Sequence, residues 1–302
     1  MTSDFHARGF AILPGYLSAD DLQPALDELP SLYPTADEFH DDADPARNKR
    51  FREEFGGIDD FPFASTGLSL LAVHPRLIDL ASQLLETPDV RVFSIEAWAK
   101  YTGATDYEQH LHRDYLAHTL LAPSTDPRFG QVEMFVYLVD VPAELGAPAF
   151  VDTARTAQLP VMPNWFPRDD GVVDAERPDW VSSVGVPDAY AHEVRAAGPA
   201  GTVVAYTNRT FHRGTQLEMP RSARYTLHVN FRPAESEWQA RHSWVLTSNS
   251  DAWHAFVCAA SPRQLELFGW PAPGHPYWTD ETIAGVCERY PGFNAARWTD
   301  AR

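Results

Sequence analysis

The chain has 302 residues, 44% of them hydrophobic, with 24 basic and 42 acidic side chains and a formal charge of −18. A field of that sign repels phosphate backbones and anionic membrane surfaces, which argues against a nucleic-acid or membrane partner. Cys258 and Cys287 form neither a disulfide framework nor a close metal-binding pair, and no stretch approaches the ~20 apolar residues of a membrane span, so a cytoplasmic protein with reduced thiols is expected.

In chain order, residues 9–17, GFAILPGYL, read as a short strand closed by a turn. Ser18 then caps a helix, SADDLQPALDELPSLY, with acids in the first turn where the helix dipole favours them. Residues 36–60 mix both signs of charge and read as a loop or a lid, and they contain the one dense basic run, RNKRFR at 47–52. In HPRLIDLASQLLET the apolar residues Leu77, Ile78, Leu80, Ala81, Leu84 and Leu85 have helical spacing. From Val90 the period shortens: DVRVFSIEAWAKY, QHLHRDY, QVEMFVYLVDV, AGTVVAYTN and RYTLHVNF all read as strands. Strands with turn-rich connections, in a chain with 25 Pro, point to an antiparallel barrel or sandwich. Residues from about 155 to 196 form a long insertion of the kind that carries binding loops, and the part after about 234, with Trp238, Trp244, Trp253, Trp270 and Trp278, is expected to pack around the barrel. The expectation is one domain over 1–302: helical support over 1–89, a β core over 90–233 and a C-terminal extension over 234–302.

His112-Arg113-Asp114 places an imidazole and a carboxylate two residues apart. On a strand both would share one face and could converge on one ion. A distant third ligand would complete a facial triad, leaving positions open on iron for a bidentate co-substrate and dioxygen. The same spacing recurs at His40-Asp41-Asp42, but in charged surroundings without strand alternation, so that pair reads as solvated. Downstream candidates are His192, His212 and His228. His192 reads as exposed and His228 as a pocket residue within a strand. His212 closes the run GTVVAYTNRTFH before the turn RGT and is the expected third ligand. His110 shares the alternation with His112 but is read as a supporting residue, because a facial triad needs its other positions open.

RYTLHVNF puts Arg224, Thr226, His228 and Asn230 on one face and Tyr225, Leu227, Val229 and Phe231 on the other. A buried arginine on that polar face needs an anionic partner, and a carboxylate held in a bidentate pair is the natural one. Thr226 could donate to the same carboxylate. The distal carboxylate of 2-oxoglutarate would satisfy both. Trp98, Lys100, Tyr101, Tyr115 and Tyr206 lie near the triad in sequence and are the candidate substrate-pocket residues, with Lys100 available to an anionic substrate.

Together these segments resemble the phytanoyl-CoA dioxygenase-like family of iron(II)/2-oxoglutarate oxygenases. The resemblance rests on AKYTGATDYEQHLHRDY, FVYLVDVPAELGAPAFV, AGTVVAYTNRTFHRGT and RSARYTLHVNFRP, and it covers about residues 90 to 233. It implies a mainly β fold, a double-stranded β-helix (jelly roll, cupin-like), with flanking N-terminal helices and a C-terminal extension. It also implies that His112 and Asp114 lie near the end of an early core strand, that His212 lies on the opposite sheet, and that Arg224 anchors the co-substrate, with Arg221 as its rival. The family's Gly-Ala/Pro turn is present as Gly146-Ala147-Pro148, whereas VDTARTAQLP departs from the usual Pro-Gly-Ser-His pattern, a departure that bears on the substrate.

The cofactors implied are Fe(II), 2-oxoglutarate and O2. Halogenating relatives replace the metal-binding acid with a small residue. Asp114 is present, so the expected reaction is hydroxylation of a small organic molecule, with release of succinate and CO2. Desaturation, epimerisation or cyclisation of a natural-product intermediate would use the same cofactors, and a jelly roll that holds metal or ligand without turnover is the alternative of another class.

Overall fold

The computed structural model describes residues 2–53, 55–105, 108–114, 118–121, 123–124, 126–172, 174, 180–239, 244 and 247–299. Its named strands, numbered in chain order, form two antiparallel sheets. The six-stranded sheet runs β1 (Phe10–Leu13), β9 (Val203–Tyr206), β5 (Val132–Tyr137), β11 (Ala223–Pro233), β3 (Val90–Tyr101) and β2 (Ile58–Asp60). The five-stranded sheet runs β7 (Trp165–Phe166), β4 (Leu111–His112), β10 (His212–Arg213), β6 (Ala149–Phe150) and β8 (Val194–Arg195). Phe10, Tyr137, Val204 and Tyr206 of the first sheet pack with Ala147 and Phe150 beside the second. The arrangement is a double-stranded β-helix.

Strands β3 and β11 carry the longest ladder, from Ala223 opposite Tyr101 to Pro233 opposite Val90, with a register shift between Asn230 and Phe231. Their period-two alternation separates two environments. Tyr225, Leu227, Val229 and Phe231 of β11, with Ile95, Ala97, Ala99 and Tyr101 of β3, are buried in the main apolar core. The alternate residues face a cavity between the sheets.

Helices close the core side. Helix α1 (Thr2–Arg8) leads into β1. Helix α2 (Ala19–Leu32) starts at Ser18, whose side chain accepts from the Asp21 backbone N–H while the Asp21 carboxylate accepts from the Ser18 backbone. This reciprocal cap satisfies donors that a helix start otherwise leaves open. Residues 36–60, expected as a loop or lid, instead hold two short helices, α3 (Ala36–His40) and α4 (Pro45–Asn48), then a 3-10 turn and β2. The reason is local: Thr35 and Asp44 cap the two helices, and Phe39 and Phe51 are buried against Tyr101, with ring centroids 4.1 and 5.6 Å away. Two arginines of the basic run are paired within the chain: Arg50 with Asp59 at 2.8 Å and Arg52 with Asp42 at 3.2 Å. Helices α5 (Thr66–Ala72) and α6 (Pro75–Leu84) follow. A Cβ on Gly67 would stand 2.3 Å from the Pro24 carbonyl oxygen, so glycine is what lets α5 lie on α2.

The segment from about 155 to 196 adds β7 and β8 to the short sheet. After β11, the helix Asp251–Ala259 buries Trp253, Phe256 and Val257, and Phe61 meets Phe256 and Phe268 at 4.9 and 5.2 Å. The implied placement of His212 on a sheet opposite His112 is corrected: β10 pairs directly with β4, with His212 opposite His112 in one sheet. The chain leaves the long sheet after Tyr206 and enters the short one at His212, so the run GTVVAYTNRTFH spans both sheets. Among the described residues, no helix is long and apolar enough to cross a membrane.

Candidate metal centre

Strand β4 ends at His112, and Asp114 lies in the turn beyond it, so convergence of the two side chains depends on that turn and not on a continuous strand. Asp114 Oδ1 stands 3.5 Å from His112 Nε2, and Oδ2 stands 3.1 Å from His212 Nε2. One donor atom from each of the three residues lies within 4.8 Å of the others. Each imidazole Nδ1 faces a backbone carbonyl two residues earlier, His110 O at 2.8 Å and Thr210 O at 3.2 Å. Those contacts suit Nδ1–H donors and leave Nε2 as the lone-pair donor toward the centre. Trp165 stacks on His112 at 4.1 Å and Phe150 on His212 at 5.6 Å, and Tyr206 donates its hydroxyl to Asp114 Oδ2 at 3.2 Å.

Burial works to raise the Asp114 carboxyl, yet His212 and His112 outweigh it and hold it well below the usual carboxylate range. Burial opposes protonation of His212, but the Asp114 carboxylate raises it above the usual histidine range. The Tyr206 hydroxyl is pushed up by burial and by Glu133 and Asp114. Two imidazole nitrogens and one carboxylate on one side of a cavity are the donor set that suits a divalent iron with open positions.

The cavity has a volume of about 870 Å³, inside the range of small-molecule sites. Arg224 lines it, only 7% exposed. One terminal nitrogen donates to the Gly146 carbonyl, while Nε is buried without a hydrogen-bond partner. Among the described residues no carboxylate pairs with it. Burial pulls its pKa down, against a smaller opposing effect of Tyr137. A buried guanidinium in that condition carries an unmet demand for an anion. Gly146 has φ of 70°, and a Cβ there would stand 2.7 Å from the Thr215 carbonyl oxygen and 3.2 Å from Arg224 Nη1, so the Gly-Ala-Pro turn shapes this end of the cavity. Thr226 Oγ1 lies 3.1 Å from His228 Nε2, and burial with the nearby Arg224 holds His228 well below the usual histidine range.

The chain matches the phytanoyl-CoA dioxygenase (PhyH) family over residues 5–218. It belongs to that family. No curated protein sequence matches this PhyH-family chain. Among solved structures, the epimerase SnoN in complex with Fe3+, alpha ketoglutarate and nogalamycin RO is 20% identical, with a TM-score of 0.56 over 81% of this chain and 87% of that one. The non-heme alpha ketoglutarate dependent carbocyclase SnoK from nogalamycin biosynthesis is 18% identical, with a TM-score of 0.51 over 80% and 89%. HygX from Streptomyces hygroscopicus, with nickel, 2-oxoglutarate and hygromycin B bound, is 16% identical, with a TM-score of 0.50 over 77% and 86%. At these identities the likeness is one of fold.

In this PhyH-family chain the cavity gathers His112, Asp114, His212, Arg224, Thr226, Trp98, Lys100 and Tyr206. Tyr101 is not among them. Its parity on β3 is opposite to that of Trp98 and Lys100, and it is buried in the core, where its hydroxyl donates to the Pro34 carbonyl at 2.6 Å. Tyr115 lies outside the described residues. Arg221 is on the surface, its side chain 54% exposed and paired with Asp41 at 2.8 Å. His192 faces Asp188 near the surface. His228 is in the cavity, stacked on Trp98 at 4.6 Å, and His110 is there too. Sequence reasoning missed Glu133, His118, Glu96, Trp165 and Trp180, all of which line the cavity. Glu133 had a signal: it is the lone acid inside the apolar stretch VEMFVY.

Proposed function

We propose that this PhyH-family chain is an Fe(II)- and 2-oxoglutarate-dependent dioxygenase that hydroxylates a small organic molecule. In this reading His112, Asp114 and His212 hold the metal, and Arg224, with Thr226 beside it, holds the distal carboxylate of 2-oxoglutarate. The observation that carries it is the buried Arg224, without a carboxylate partner among the described residues, facing the same cavity as a two-histidine, one-carboxylate cluster. When bound, the iron with 2-oxoglutarate supplies activation of O2 for oxidation of a substrate C–H bond, with release of succinate and CO2.

The chain's own residues do the rest. The carbonyls of His110 and Thr210 fix the two imidazole planes, and Tyr206 orients the Asp114 carboxylate. Trp165, Phe150 and Phe135 surround the ligands with apolar rings, which exclude water and strengthen each polar contact inside. Lys100, opposite Arg224 in the β3–β11 register, adds a second positive charge at the end of the cavity where the distal carboxylate is placed.

A second reading keeps the cofactors and changes the outcome. The structural relatives include an epimerase and a carbocyclase, and the pose of the substrate C–H bond decides which product forms. The substrate is read as a small metabolite or natural-product intermediate, and Cys258 and Cys287, both free thiols, accord with a reducing compartment. The test is succinate release from 2-oxoglutarate with Fe(II) and O2, followed by mass spectrometry of products from a panel of small molecules. Succinate with a product one oxygen heavier supports hydroxylation. An unchanged mass with inverted stereochemistry supports epimerisation. No succinate from metal-loaded, folded protein contradicts both.

A further inference from the structure

The cavity floor changes charge along its length. In the β-sheet register Lys100 lies opposite Arg224 at one end. Glu96, His228 and Phe135 form a middle row, and Ser94, Asn230, Glu133 and Tyr206 form the row at the other end. From Arg224 to Asn230 the strand advances about 20 Å at its usual rise per residue. The end away from Arg224 is built around Glu133. It is 0% exposed and sits on β5, between β9 and β11.

Neither Glu133 oxygen accepts a hydrogen bond among the described residues. His118 Nδ1 stands 3.1 Å from Oε1, an ion pair when the imidazole is protonated, though outside hydrogen-bond geometry. The Tyr206 hydroxyl faces both carboxylates and has one proton, which goes to Asp114. A fully buried carboxylate with no hydrogen bond, and only a titratable imidazole as its ion-pair partner, has room for a further cation or donor. Glu96 adds a second acid one row away, accepting from Trp98 Nε1 at 2.9 Å. Trp165 and Trp180 supply aromatic faces on the wall and at the mouth, and such faces attract organic cations.

We propose that the Glu133 end of the cavity is a cation subsite, and that the substrate is a small molecule bearing an ammonium group held by Glu133 while its body lies against Trp165 and Trp180. The opposite end, with Arg224 and Lys100, is left to the dicarboxylate. Because Tyr206 is both the cross-strand neighbour of Glu133 and the donor to Asp114, the ammonium sits next to the metal ligands and positions the nearby carbon atoms. The role of this group as part of a substrate rests on the proposed function; the subsite itself rests on the residues around Glu133.

The test uses tryptophan fluorescence of the full chain in excess Mn(II) and 2-oxoglutarate, with metal content measured on the same sample. Benzylamine, benzyl alcohol and benzoate are titrated as cationic, neutral and anionic probes of similar shape. Benzylamine is expected to bind about tenfold or more tightly than benzyl alcohol, with benzoate weakest, since a desolvated charge pair is worth at least that factor. Glu133→Gln is expected to remove the preference for the amine and leave benzyl alcohol binding unchanged. The wild-type comparison needs no variant, so a poorly folding substitution does not decide the matter. Equal affinity for amine and alcohol, no binding of benzylamine, or a preference that survives Glu133→Gln overturns the proposal. So do two bound Mn(II) per chain with no preference for the amine, because Asp114, His118 and Glu133 would then be serving as a second metal site. Failure of the chain to bind any metal is a different result and contradicts the proposed function instead.

Discussion

Strands β3 and β11 pair from end to end, whereas every strand of the five-stranded sheet is two residues long, and it is this shorter sheet that carries His112 and His212. A long ladder positions its side chains through repeated backbone hydrogen bonds and a continuous apolar face. The short sheet lacks both and relies on side chains that clamp backbone. Arg213, 2% exposed, donates to Glu193 Oε1 at 2.6 Å and stands 3.2 Å from Glu108. Tyr190 accepts from the Leu111 N–H at 3.1 Å and donates to the Phe166 carbonyl at 3.0 Å, tying β4 to β7. Arg113 Nη2 donates to the Pro160 carbonyl at 2.6 Å and lies over the Phe211 ring at 4.5 Å. Equal stability losses in the two sheets should therefore have unequal consequences for the metal centre.

Arg213→Ala removes the cation from a buried pair and leaves Glu193 behind. A loss of about 3–5 kcal/mol is expected in chemical denaturation, together with a large fall in metal affinity measured by calorimetry. Leu227→Ala, in the middle of β11 and fully buried, is expected to cost about 2–5 kcal/mol while the metal affinity of the folded fraction stays at the wild-type value. If Leu227→Ala weakens metal binding as much as Arg213→Ala does, the contrast between the sheets is lost. The smallest effect is in the helical layer, where Ser18→Ala is expected to cost about 0.5–2 kcal/mol without touching the centre. That cap also has a pH signature. The Ser18 backbone N–H chiefly holds the Asp21 carboxyl below its usual range, against a smaller effect of burial. A depressed carboxyl stabilises the fold above its ordinary range, and that stability is lost as pH falls through the lower folded value. Ser18→Ala keeps that backbone donor and loses only the hydroxyl, which donates to Asp21 Oδ2 at 2.8 Å and lowers the carboxyl by a smaller amount, so the gap between wild type and variant should narrow only slightly in acid, as thermal melts across pH would record.

What could be read from the amino acids follows the same division. On β11 the alternation of Arg224, Thr226, His228 and Asn230 against Tyr225, Leu227, Val229 and Phe231 is visible because one face meets a core and the other a cavity. Two-residue strands generate no period, so nothing in the sequence marks the crossing from β9 to β10 or corrects the opposite-sheet placement of His212 that the family resemblance implies. Tyr101 is next to Lys100 in sequence, but parity along β3 sends the two to opposite faces. In residues 36–60 the mixed charge hides the buried Phe39 and Phe51, and with them the two short helices that Thr35 and Asp44 cap. Trp165 reaches His112 only through the pairing of β7 with β4, a long-range contact without a local signal.

The most direct measurement is anaerobic. Fe(II) and then 2-oxoglutarate are added to metal-free protein, and the visible charge-transfer band of the chelated complex is recorded for wild type, His112→Ala and Arg224→Ala. The expected result is a band in the wild type, none in His112→Ala, and a band in Arg224→Ala only at a 2-oxoglutarate concentration at least about tenfold higher, given what a buried charge pair contributes. No band from folded wild-type protein with metal bound, or an unchanged 2-oxoglutarate requirement in Arg224→Ala, would contradict the assignment of the centre and its anchor.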